Sequence, residues 1–513
     1  MNAITLFSPT TLLYERARLS RDARFDGLFY TAVITTGIYC RPVCPAPAPR
    51  AENVRYYSSA AAAEAEGFRP CLRCRPELSP ARHVEHAVLA RALALIEDGV
   101  LDDASISDLA ARLFIGERQL RRLFNEHLGV SPRQVQGTRR LLFAKQLLSE
   151  TCIPITEIAL ASGFRSLRRF NSAFQAAYRL APRQIRAGLK TADNRPTEAN
   201  LTLRLTYRPP FDFQATLEFL HGHALPGVEI VTENSYSRLI GNPLQPGWLR
   251  VSPWPGEQAL RLELHGATPA RLLGSVQRIR RMFDLDADPQ AIAAVLSCDP
   301  QLQALLTRRP GLRLASGWDG FEIAVRAVIG QQVSVAAART MTARLVQRFG
   351  EPWPQSTHEE ACPPPEGLDR FFPTVETLAN AQLEDLTALG LIRSRSATLL
   401  AVARGLRDGS VDFAVHHSLD DFSARWDALP GIGPWTAQYI ALRALGHPDA
   451  FPAEDLVLQR AAGTGERLSA RALQARAEAW RPWRGYAVMQ LWRDATERKF
   501  AAPANAFQED MTP

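Results

Sequence analysis

The sequence contains no stretch of about 18 residues that is both apolar and uncharged, so it predicts no membrane-spanning helix. Residues 1–19 lack the basic start and apolar run of a secretory signal, and the cytoplasm is therefore the expected location. Lysine is scarce, since only Lys145, Lys190 and Lys499 occur in 513 residues. This scarcity limits any chemistry that needs an amine nucleophile.

The composition is that of an ordinary globular protein, with 46% hydrophobic and 22% charged residues. A chain of this length suggests roughly three or four domains. Positive charge is unevenly distributed, because residues 81–190 hold 17 basic and 10 acidic side chains whereas residues 191–513 hold 33 and 36. The basic segment favours a polyanionic partner such as nucleic acid, and a solvated basic surface is the alternative.

Changes of pattern divide the chain into blocks. Residues 1–80 come first, and residues 81–188 then form consecutive amphipathic helices. A polar stretch at 189–200 is predicted to be a linker. Alternating apolar residues predict strands within 201–288, and helical patterns return over 289–500.

Four of the seven cysteines form two close pairs. The spacing Cys40-x3-Cys44 followed by Cys71-x2-Cys74 is typical of ligands that close a tetrahedral shell around one Zn²⁺. In a chain without a secretory signal, clustered cysteines favour metal binding over disulfides. The alternative is that they are ordinary small core residues.

The segments around these pairs, 35–42 and 67–74, resemble the N-terminal domain of the Ada family of bacterial methylation-response proteins. The resemblance covers about residues 10–80. It implies that Cys40 takes a methyl group irreversibly from a DNA methylphosphotriester. It also implies that the other three cysteines complete the zinc site.

The same resemblance implies that Thr36 and Arg69 lie near the DNA backbone. Residues 45–49, Pro-Ala-Pro-Ala-Pro, depart from the more basic run of the family. A zinc-bound thiolate is ionised at neutral pH, so four thiolates on one Zn²⁺ would carry a formal charge of about −2. Methylation of Cys40 would lower this charge to about −1 and reduce repulsion of phosphates. We therefore hypothesise that methylation switches on specific DNA binding.

Two segments of the second block, 106–124 and 155–174, each contain a short amphipathic helix, a glycine turn and a second amphipathic helix. Polar side chains on the second helix could read base edges in the major groove. The candidates are Arg118, Gln119, Arg121, Arg122, Arg165, Arg168, Arg169 and Asn171. A plain helical bundle is the alternative. Residues 82–188 as a whole resemble AraC-type activators, and we expect promoter DNA and RNA polymerase as partners.

Residues 429–437 predict a helix, a tight turn and a second helix. Gly431 and Gly433 would let the backbone approach a phosphate, which free N–H groups at the next helix start could bind. A purely structural turn is the alternative. Carboxylates follow within 449–455, and one of them could stabilise an oxocarbenium-like centre or aim a water molecule at it.

Residues 201–500 resemble the AlkA family of alkylation-repair glycosylases in the helix-hairpin-helix superfamily, with further matching segments at 321–335 and 480–492. The resemblance implies that Asp455 is the catalytic carboxylate. It also implies DNA containing alkylated bases as the substrate.

By the same resemblance, Trp435, Tyr439 and Trp492 would line an aromatic pocket for an extruded base. Electron-rich rings attract a cationic base such as 3-methyladenine. Gln332 stands where the family inserts a leucine wedge into the duplex.

Strand-cleaving lyase chemistry is not expected, because it needs an amine to form a Schiff base. Trp435 stands where the lyase relatives carry lysine, and no lysine of this chain lies in the hairpin. No four-cysteine array follows the hairpin, so we expect no iron–sulfur cluster. The family's Pro-Cys-His-Arg acceptor for O6-methylguanine is also absent.

These observations predict a multidomain α+β chain. Its parts are a small zinc-bound α/β domain, an all-α double helix-turn-helix domain, a small antiparallel-sheet domain and an all-α helix-hairpin-helix glycosylase domain. The predicted function combines an alkylation sensor, a transcriptional activator and a monofunctional DNA-3-methyladenine glycosylase, with one Zn²⁺, double-stranded DNA as partner and no membrane. Two alternatives stay open, namely a regulator whose second half only binds DNA, and an enzyme whose first half only anchors it.

Overall fold

The computed structural model describes residues 9–501 except 83, 85, 98, 189–199, 267, 355–362, 414–417, 464 and 465. Most of the predicted linker at 189–200 therefore lies outside the described residues, as do Lys190 and Cys362. Within the described part, no helix is both long and apolar enough to cross a membrane.

The N-terminal elements build a small sheet with helices against it. They are α1 (Pro9–Ser20), β1 (Tyr30–Val33), β2 (Ile38–Cys40), β3 (Val54–Tyr57), α2 (Ala60–Ala65) and β4 (Arg69–Pro70). The four strands lie in the order β3-β1-β2-β4, with β1 antiparallel to both neighbours and β2 parallel to β4. The parallel pair brings the ends of β2 and β4 to the same edge of the sheet.

The next described elements are all helices. They are α3 (Ala87–Glu97), α4 (Val100–Asp103), α5 (Ile106–Arg112), α6 (Glu117–Leu128), α7 (Pro132–Glu150), α8 (Ile155–Ala161), α9 (Leu167–Tyr178) and α10 (Pro182–Gly188). Capping boxes begin α5 at Ser105 and α7 at Ser131, which explains why these helices start there. The pairs α5–α6 and α8–α9 form the two predicted helix-turn-helix units, one on each side of α7.

An antiparallel sheet follows the helices. Its elements are β5 (Asn200–Thr206), α11 (Phe213–His223), β6 (Glu229–Val231), β7 (Tyr236–Asn242), β8 (Gln245–Pro253), β9 (Ala259–His265) and α12 (Pro269–Met282). The five strands lie in the order β5-β9-β8-β7-β6. Leu260, Leu262 and Leu264 alternate with polar residues and are at most 1% exposed, so every second side chain in the middle of β9 enters the core.

The C-terminal elements are helical. They are α13 (Pro289–Leu296), α14 (Pro300–Arg308), α15 (Gly320–Ile329), α16 (Val335–Phe349), α17 (Val375–Ala379), α18 (Leu383–Thr387), α19 (Arg393–Asp408), α20 (Leu419–Asp427), α21 (Pro434–Ala444), α22 (Leu456–Ala462), α23 (Ala470–Ala477) and α24 (Arg484–Ala501). They enclose a core that buries Trp426 and Trp480 among aliphatic side chains.

One apolar core joins the second helix-turn-helix unit to the antiparallel sheet. The same cluster contains Ile158 of α8 and Phe174 of α9 together with Leu203 of β5 and Leu272 of α12. Helix α8 lies against α12. The sequence predicts two separate blocks on either side of a linker. In the structure, the apolar face of the second helix-turn-helix unit packs against that of the sheet, which removes both faces from water. The two blocks therefore share one core.

Arg208 connects segments that are distant in the sequence. Its side chain is fully buried and donates from Nε to the carbonyl oxygen of Asp26 at 2.7 Å. It also donates to the carbonyl oxygens of Asp286 at 2.6 Å and Pro80 at 3.2 Å. It also donates to the carbonyl oxygen of Ala81, so one guanidinium joins the N-terminal block, the start of the helical block and the loop after α12.

Candidate functional sites

The four predicted cysteine ligands come together at the edge formed by β2 and β4. Cys40 ends β2, and the backbone N–H of Cys71 donates to the carbonyl oxygen of Tyr39 at 3.0 Å, which sets the two chain segments side by side. The sulphur atoms of Cys40, Cys44, Cys71 and Cys74 all lie within 4.8 Å of one another. Tetrahedral Zn²⁺ with Zn–S bonds of about 2.3 Å needs sulphurs about 3.8 Å apart, so the cluster fits a single Zn²⁺.

The ligands differ in their access to a large substrate. Cys71 and Cys74 are buried, whereas Cys40 and Cys44 are partly exposed. Thr36 is exposed in the turn between β1 and β2, and the N–H of Arg69 donates to the carbonyl oxygen of Gly37 in that turn at 2.9 Å. The structure therefore gathers Thr36 and Arg69 on the edge that carries Cys40.

Arg41 supports the sulphur cluster, a role that the sequence did not reveal. Its backbone N–H donates to Cys74 Sγ at 3.3 Å, and its guanidinium donates to the Cys74 carbonyl oxygen at 3.0 Å. The same guanidinium is paired with the buried carboxylate of Asp26. Burial opposes the charge of Arg41, but the hydrogen bonds and charge of Asp26 raise its pKa overall. A fixed positive charge thus lies beside four sulphurs.

A partly buried carboxylate connects the residue before Cys40 to the helical block. The Tyr39 hydroxyl donates to Glu64 Oε1 at 2.9 Å, and the Thr138 hydroxyl of α7 donates to Glu64 Oε2 at 2.5 Å. Burial raises the pKa of Glu64. The sequence gives no signal for this contact, since its partners lie far apart along the chain.

The second helix of each helix-turn-helix unit presents polar side chains to solvent. All eight predicted DNA-contacting residues of these units are exposed, namely Arg118, Gln119, Arg121, Arg122, Arg165, Arg168, Arg169 and Asn171. In the first unit, Arg118 and Gln119 line an open groove of about 1080 Å³ that extends to Ser131 and Gln134 at the start of α7.

One of these residues occupies a different position from the predicted one. Arg165 was expected on the second helix, but it lies in the turn before Leu167, where α9 begins. Ser166 caps the helix by accepting from the N–H of Arg169, so the helix cannot include Arg165. The Arg165 guanidinium donates to the carbonyl oxygen of Asp102 at 3.4 Å, which connects the turn to α4, the helix before the first unit.

The hairpin between α20 and α21 needs glycine at its apex. Gly431 has φ of +83°, and a Cβ atom added there would lie 1.9 Å from Oγ1 of Thr398. Gly433 is the N-cap of α21 and makes no side-chain cap, which leaves the first N–H groups of the helix available. These groups can bind an anion such as a DNA phosphate.

Asp455 lies against the aromatic side chains that follow the hairpin. It is the N-cap of α22, where Oδ1 accepts from the N–H of Leu458 at 2.9 Å. The indole of Trp435 donates to its Oδ2 at 3.1 Å, and the indole of Trp492 donates to its Oδ1 at 3.3 Å. Both carboxylate oxygens are thus held by donors, which come from the three helices α21, α22 and α24.

The neighbouring carboxylates have other surroundings. Asp449 is paired with Arg484 at 2.8 Å and also with Arg481, while Glu454 is exposed. Of the three carboxylates in 449–455, Asp455 is therefore the one that contacts the predicted aromatic pocket.

The three predicted pocket rings are in contact. Trp435 and Tyr439 stack with centroids 5.3 Å apart, and the centroids of Tyr439 and Trp492 are 6.1 Å apart. All three side chains are partly exposed, so they form an open aromatic wall. Such a wall can hold a planar cationic base next to the Asp455 carboxylate.

Gln332 lies in the connection between α15 and α16, which approaches the hairpin. The preceding Gln331 was not predicted as a site residue, but its amide donates to the carbonyl oxygen of Gly431 and to Oγ1 of Thr436, both at 3.0 Å. Lys145 is remote from the hairpin in sequence and is paired with Glu77 in a buried position.

Four family models match successive parts of the chain. The metal binding domain of Ada matches residues 14–77, and a helix-turn-helix domain matches residues 109–188. The AlkA N-terminal domain matches residues 202–319, and the HhH-GPD superfamily of base excision DNA repair proteins matches residues 325–485.

Three relatives illustrate the similarity. A Mycobacterium tuberculosis protein named "Probable bifunctional transcriptional activator/DNA repair enzyme AlkA" is 40% identical over 93% of this chain and 95% of its own length. Escherichia coli DNA-3-methyladenine glycosylase 2 is 32% identical over 56% of this chain and 95% of its own length. The E. coli bifunctional transcriptional activator/DNA repair enzyme Ada is 33% identical over 33% of this chain and 47% of its own length.

Proposed function

The chain belongs to the family of bifunctional proteins that join an Ada-type activator to an AlkA-type glycosylase. We propose that it repairs alkylated DNA in two ways and activates transcription in response to the damage. Cys40 accepts methyl groups from DNA methylphosphotriesters, and Asp455 supports the excision of alkylated bases such as 3-methyladenine. The observation that carries the proposal is the coexistence of a complete four-sulphur cluster and a carboxylate held by two indoles.

The methyl transfer is a displacement at carbon. The Cys40 sulphur attacks the methyl carbon, an S–C bond forms, the C–O bond to the phosphotriester breaks, and its electron pair leaves an ordinary phosphodiester anion. Bound Zn²⁺ would supply the coordination that keeps this sulphur ionised and nucleophilic. Cys40 is partly exposed and lies beside Thr36 and Arg69, whereas Cys71 and Cys74 are buried. This exposure supports Cys40 as the methyl acceptor.

Methylation changes the charge that faces DNA. The Cys40 thiolate becomes a neutral thioether, so the cluster loses one negative charge and repels phosphates less. The polar faces of α6 and α9 then hold promoter DNA, and bound protein recruits RNA polymerase. The transfer is irreversible and stoichiometric, so each repaired phosphotriester leaves one chain permanently methylated.

Base excision uses the carboxylate and the rings. An alkylated purine such as 3-methyladenine is positively charged, so the aromatic wall attracts it and the base leaves readily. As the N-glycosidic bond breaks, its electrons neutralise the base, and the Asp455 carboxylate stabilises the positive charge that develops on the sugar. Water then adds to the sugar carbon and loses a proton. Trp435 in the hairpin offers no amine, so the abasic strand stays intact.

The test follows labelled methyl groups. DNA with radiolabelled methyl groups on bases and phosphates is incubated with the full-length protein, Cys40→Ala and Cys298→Ala, the last being a change at another exposed cysteine. We expect label in the protein and in free 3-methyladenine for the wild type and Cys298→Ala. Cys40→Ala should release base without acquiring label.

Other outcomes identify the alternatives. Labelled protein without released base would contradict the glycosylase assignment and leave a regulator. Released base without labelled protein would contradict the methyl-transfer assignment. Strand nicks that appear before alkali is added would contradict the monofunctional assignment.

A further inference from the structure

Three side chains of α21 form a row that leads from the aromatic wall into the protein interior. Trp435, Tyr439 and Arg443 follow one another at intervals of four residues, so they lie on the same face of the helix. Trp435 and Tyr439 are partly exposed and stack with centroids 5.3 Å apart, whereas Arg443 is only 3% exposed. Arg443 therefore stands behind the Tyr439 ring, at the buried end of the row.

Arg443 is a buried cation whose hydrogen-bond partners are uncharged. Arg326, another buried arginine of this region, pairs with Glu229 at 2.6 Å. Within the described residues, by contrast, no carboxylate lies at ion-pair distance from Arg443. Burial lowers the pKa of Arg443, and a hydrogen bond with the Tyr439 hydroxyl opposes this shift. Burying a charge is costly, and such groups concentrate at functional sites, so this position beside the candidate site favours a role there.

The Arg443 guanidinium is held by three groups. Its Nε donates to the carbonyl oxygen of Ala315 at 2.9 Å. Its central carbon lies 4.4 Å from the centroid of the Phe219 ring, a distance at which a cation and an aromatic face attract each other. The Tyr439 hydroxyl accepts a further hydrogen bond from the guanidinium. Because the backbone and a neighbouring ring fix the guanidinium, its contact with the hydroxyl restrains the outer end of the Tyr439 ring.

The Phe219 ring belongs to α11, a helix of the block that contains the antiparallel sheet. This ring packs against the core of the C-terminal helices. The residue before it, Glu218, accepts from the Arg493 guanidinium at 2.6 Å, and Arg493 directly follows Trp492 in α24. Helix α11 thus approaches the aromatic wall at two places, behind the row on α21 and beside Trp492.

We propose that Arg443 is a positioning residue for base excision, which holds the Tyr439 ring at the angle that a stacked base requires, and that α11 supports it through Phe219. Stacked rings can slide and tilt against each other, whereas a hydrogen bond at the hydroxyl fixes one end of the ring. A small displacement of the base relative to the Asp455 carboxylate would slow the reaction strongly. The block with the antiparallel sheet thereby acquires a role in excision. The inference rests on the proposed base excision.

A double-mutant cycle tests whether Arg443 acts through the Tyr439 hydroxyl. The full-length variants are Arg443→Met, which keeps an unbranched side chain, Tyr439→Phe, which keeps the ring, and the double variant. Arg313→Met is the control, because Arg313 is also buried, lies 5.2 Å from the centroid of the Phe211 ring and donates to the carbonyl oxygen of Pro210 at 3.0 Å. Single-turnover release of 3-methyladenine from methylated DNA is measured at saturating protein, and thermal unfolding is followed by circular dichroism.

Arg443→Met should slow base release at least about ten-fold, because the base is held less accurately. In the Tyr439→Phe background the same change should cost less than about three-fold, since the hydroxyl through which it acts is already absent. Arg313→Met should lower the unfolding midpoint comparably but change the rate by less than about two-fold. An equal factor in both backgrounds, or equal slowing by Arg313→Met, would overturn the inference. Absence of base release by the wild type would instead contradict the proposed excision.

Phe219→Leu provides a second test that keeps Arg443 in place, should Arg443→Met not fold. It removes the aromatic face under the guanidinium and should slow release at least about three-fold. Phe349→Leu is its control, the same change at another partly buried ring on the same core, and should release base at the wild-type rate. Equal rates for the two variants would show that α11 does not support the site.

Discussion

At the scale of single residues, Asp455 has a structural role and, in the proposed excision, a chemical one. One oxygen accepts from the N–H of Leu458 and so begins α22, while the indoles of Trp435 and Trp492 hold both oxygens in place. A carboxylate fixed by three donors needs little reorganisation when positive charge develops beside it. The two roles can be separated by a substitution that keeps the cap and removes the charge.

Asp455→Asn should lower single-turnover release of 3-methyladenine by at least about 100-fold, because the amide lacks the negative charge that stabilises the sugar cation. The asparagine oxygen can still accept from Leu458, so the helix start should persist. Methyl uptake by Cys40 in the same preparation reports that the protein is folded. Glu454→Gln is the control at the exposed neighbouring carboxylate. Equal loss of excision in both variants would argue against a specific role for Asp455.

His447 should make the C-terminal half sensitive to acid. Burial lowers its pKa from 6.5 to about 4, and its Nδ1 accepts from the N–H of Asp449 at 3.2 Å, which requires the neutral ring. The unfolded chain therefore binds an additional proton between pH 6.5 and 4, and stability falls as the pH decreases through this range.

We expect a loss of up to about 1.4 kcal/mol per pH unit from this single group at the low end of the range. Urea denaturation from pH 7 to pH 5 should show a shallower decline for His447→Gln than for the wild type. His127→Gln, at an exposed position of α6, should retain the wild-type decline. Parallel curves for all three proteins would refute the assignment.

At the scale of elements, the hairpin depends on contacts from one other helix and one connection. Thr398 of α19 lies against Gly431, and Gln331 in the connection after α15 donates to the Gly431 carbonyl oxygen. Other parts of the chain thus hold the hairpin in place, and α21 starts without a side-chain cap.

Gly431→Ala should weaken binding to an abasic duplex at least about ten-fold, because it adds positive-φ strain and a clash with Thr398 in the hairpin that we propose to bind phosphate. Gly409→Ala also has positive φ, at +76°, but its Cβ would meet open space. It should destabilise the protein by about 1 kcal/mol without a specific loss of binding. The double variant Gly431→Ala/Thr398→Ala should recover part of the affinity. Equal effects of the two single glycine variants would show that strain alone matters.

The sequence predicts elements and sites well where the signal is local. Cysteine spacing identifies the four ligands, glycine placement identifies the hairpin, and alternation identifies strands such as β9. Side-chain hydrogen bonds across long separations leave no local pattern, so Gln331 was missed. Helix starts depend on individual caps, which is why Arg165 was placed on α9 although Ser166 begins it.

At the scale of the whole molecule, Arg208 makes the N-terminal block and the C-terminal half parts of one structure. Its buried guanidinium satisfies carbonyl groups from three segments, which would otherwise be buried without donors. Burial lowers the pKa of Arg208. The hydrogen bonds from Tyr39 and Thr138 to Glu64 add a second connection, between the cysteine-bearing strand and α7.

Arg208→Met should lower the free energy of unfolding by at least about 3 kcal/mol, since several buried carbonyl groups lose their donor. Thermal unfolding followed by circular dichroism should show a lower midpoint, and limited proteolysis should cut near Pro80 earlier. Arg50→Met removes an exposed arginine, 85% accessible, and should change stability by less than about 1 kcal/mol. A wild-type midpoint for Arg208→Met would show that these segments are held together by other contacts.

The common core of the second helix-turn-helix unit and the antiparallel sheet determines how the protein can be divided. A cut within 189–199 would leave Ile158 and Phe174 facing water on one fragment, and Leu203 and Leu272 facing water on the other. Contiguous exposed apolar surface promotes aggregation, so each half produced alone should be poorly soluble. The two halves produced together should instead associate through these apolar faces and restore activity, as in a split-protein complementation assay.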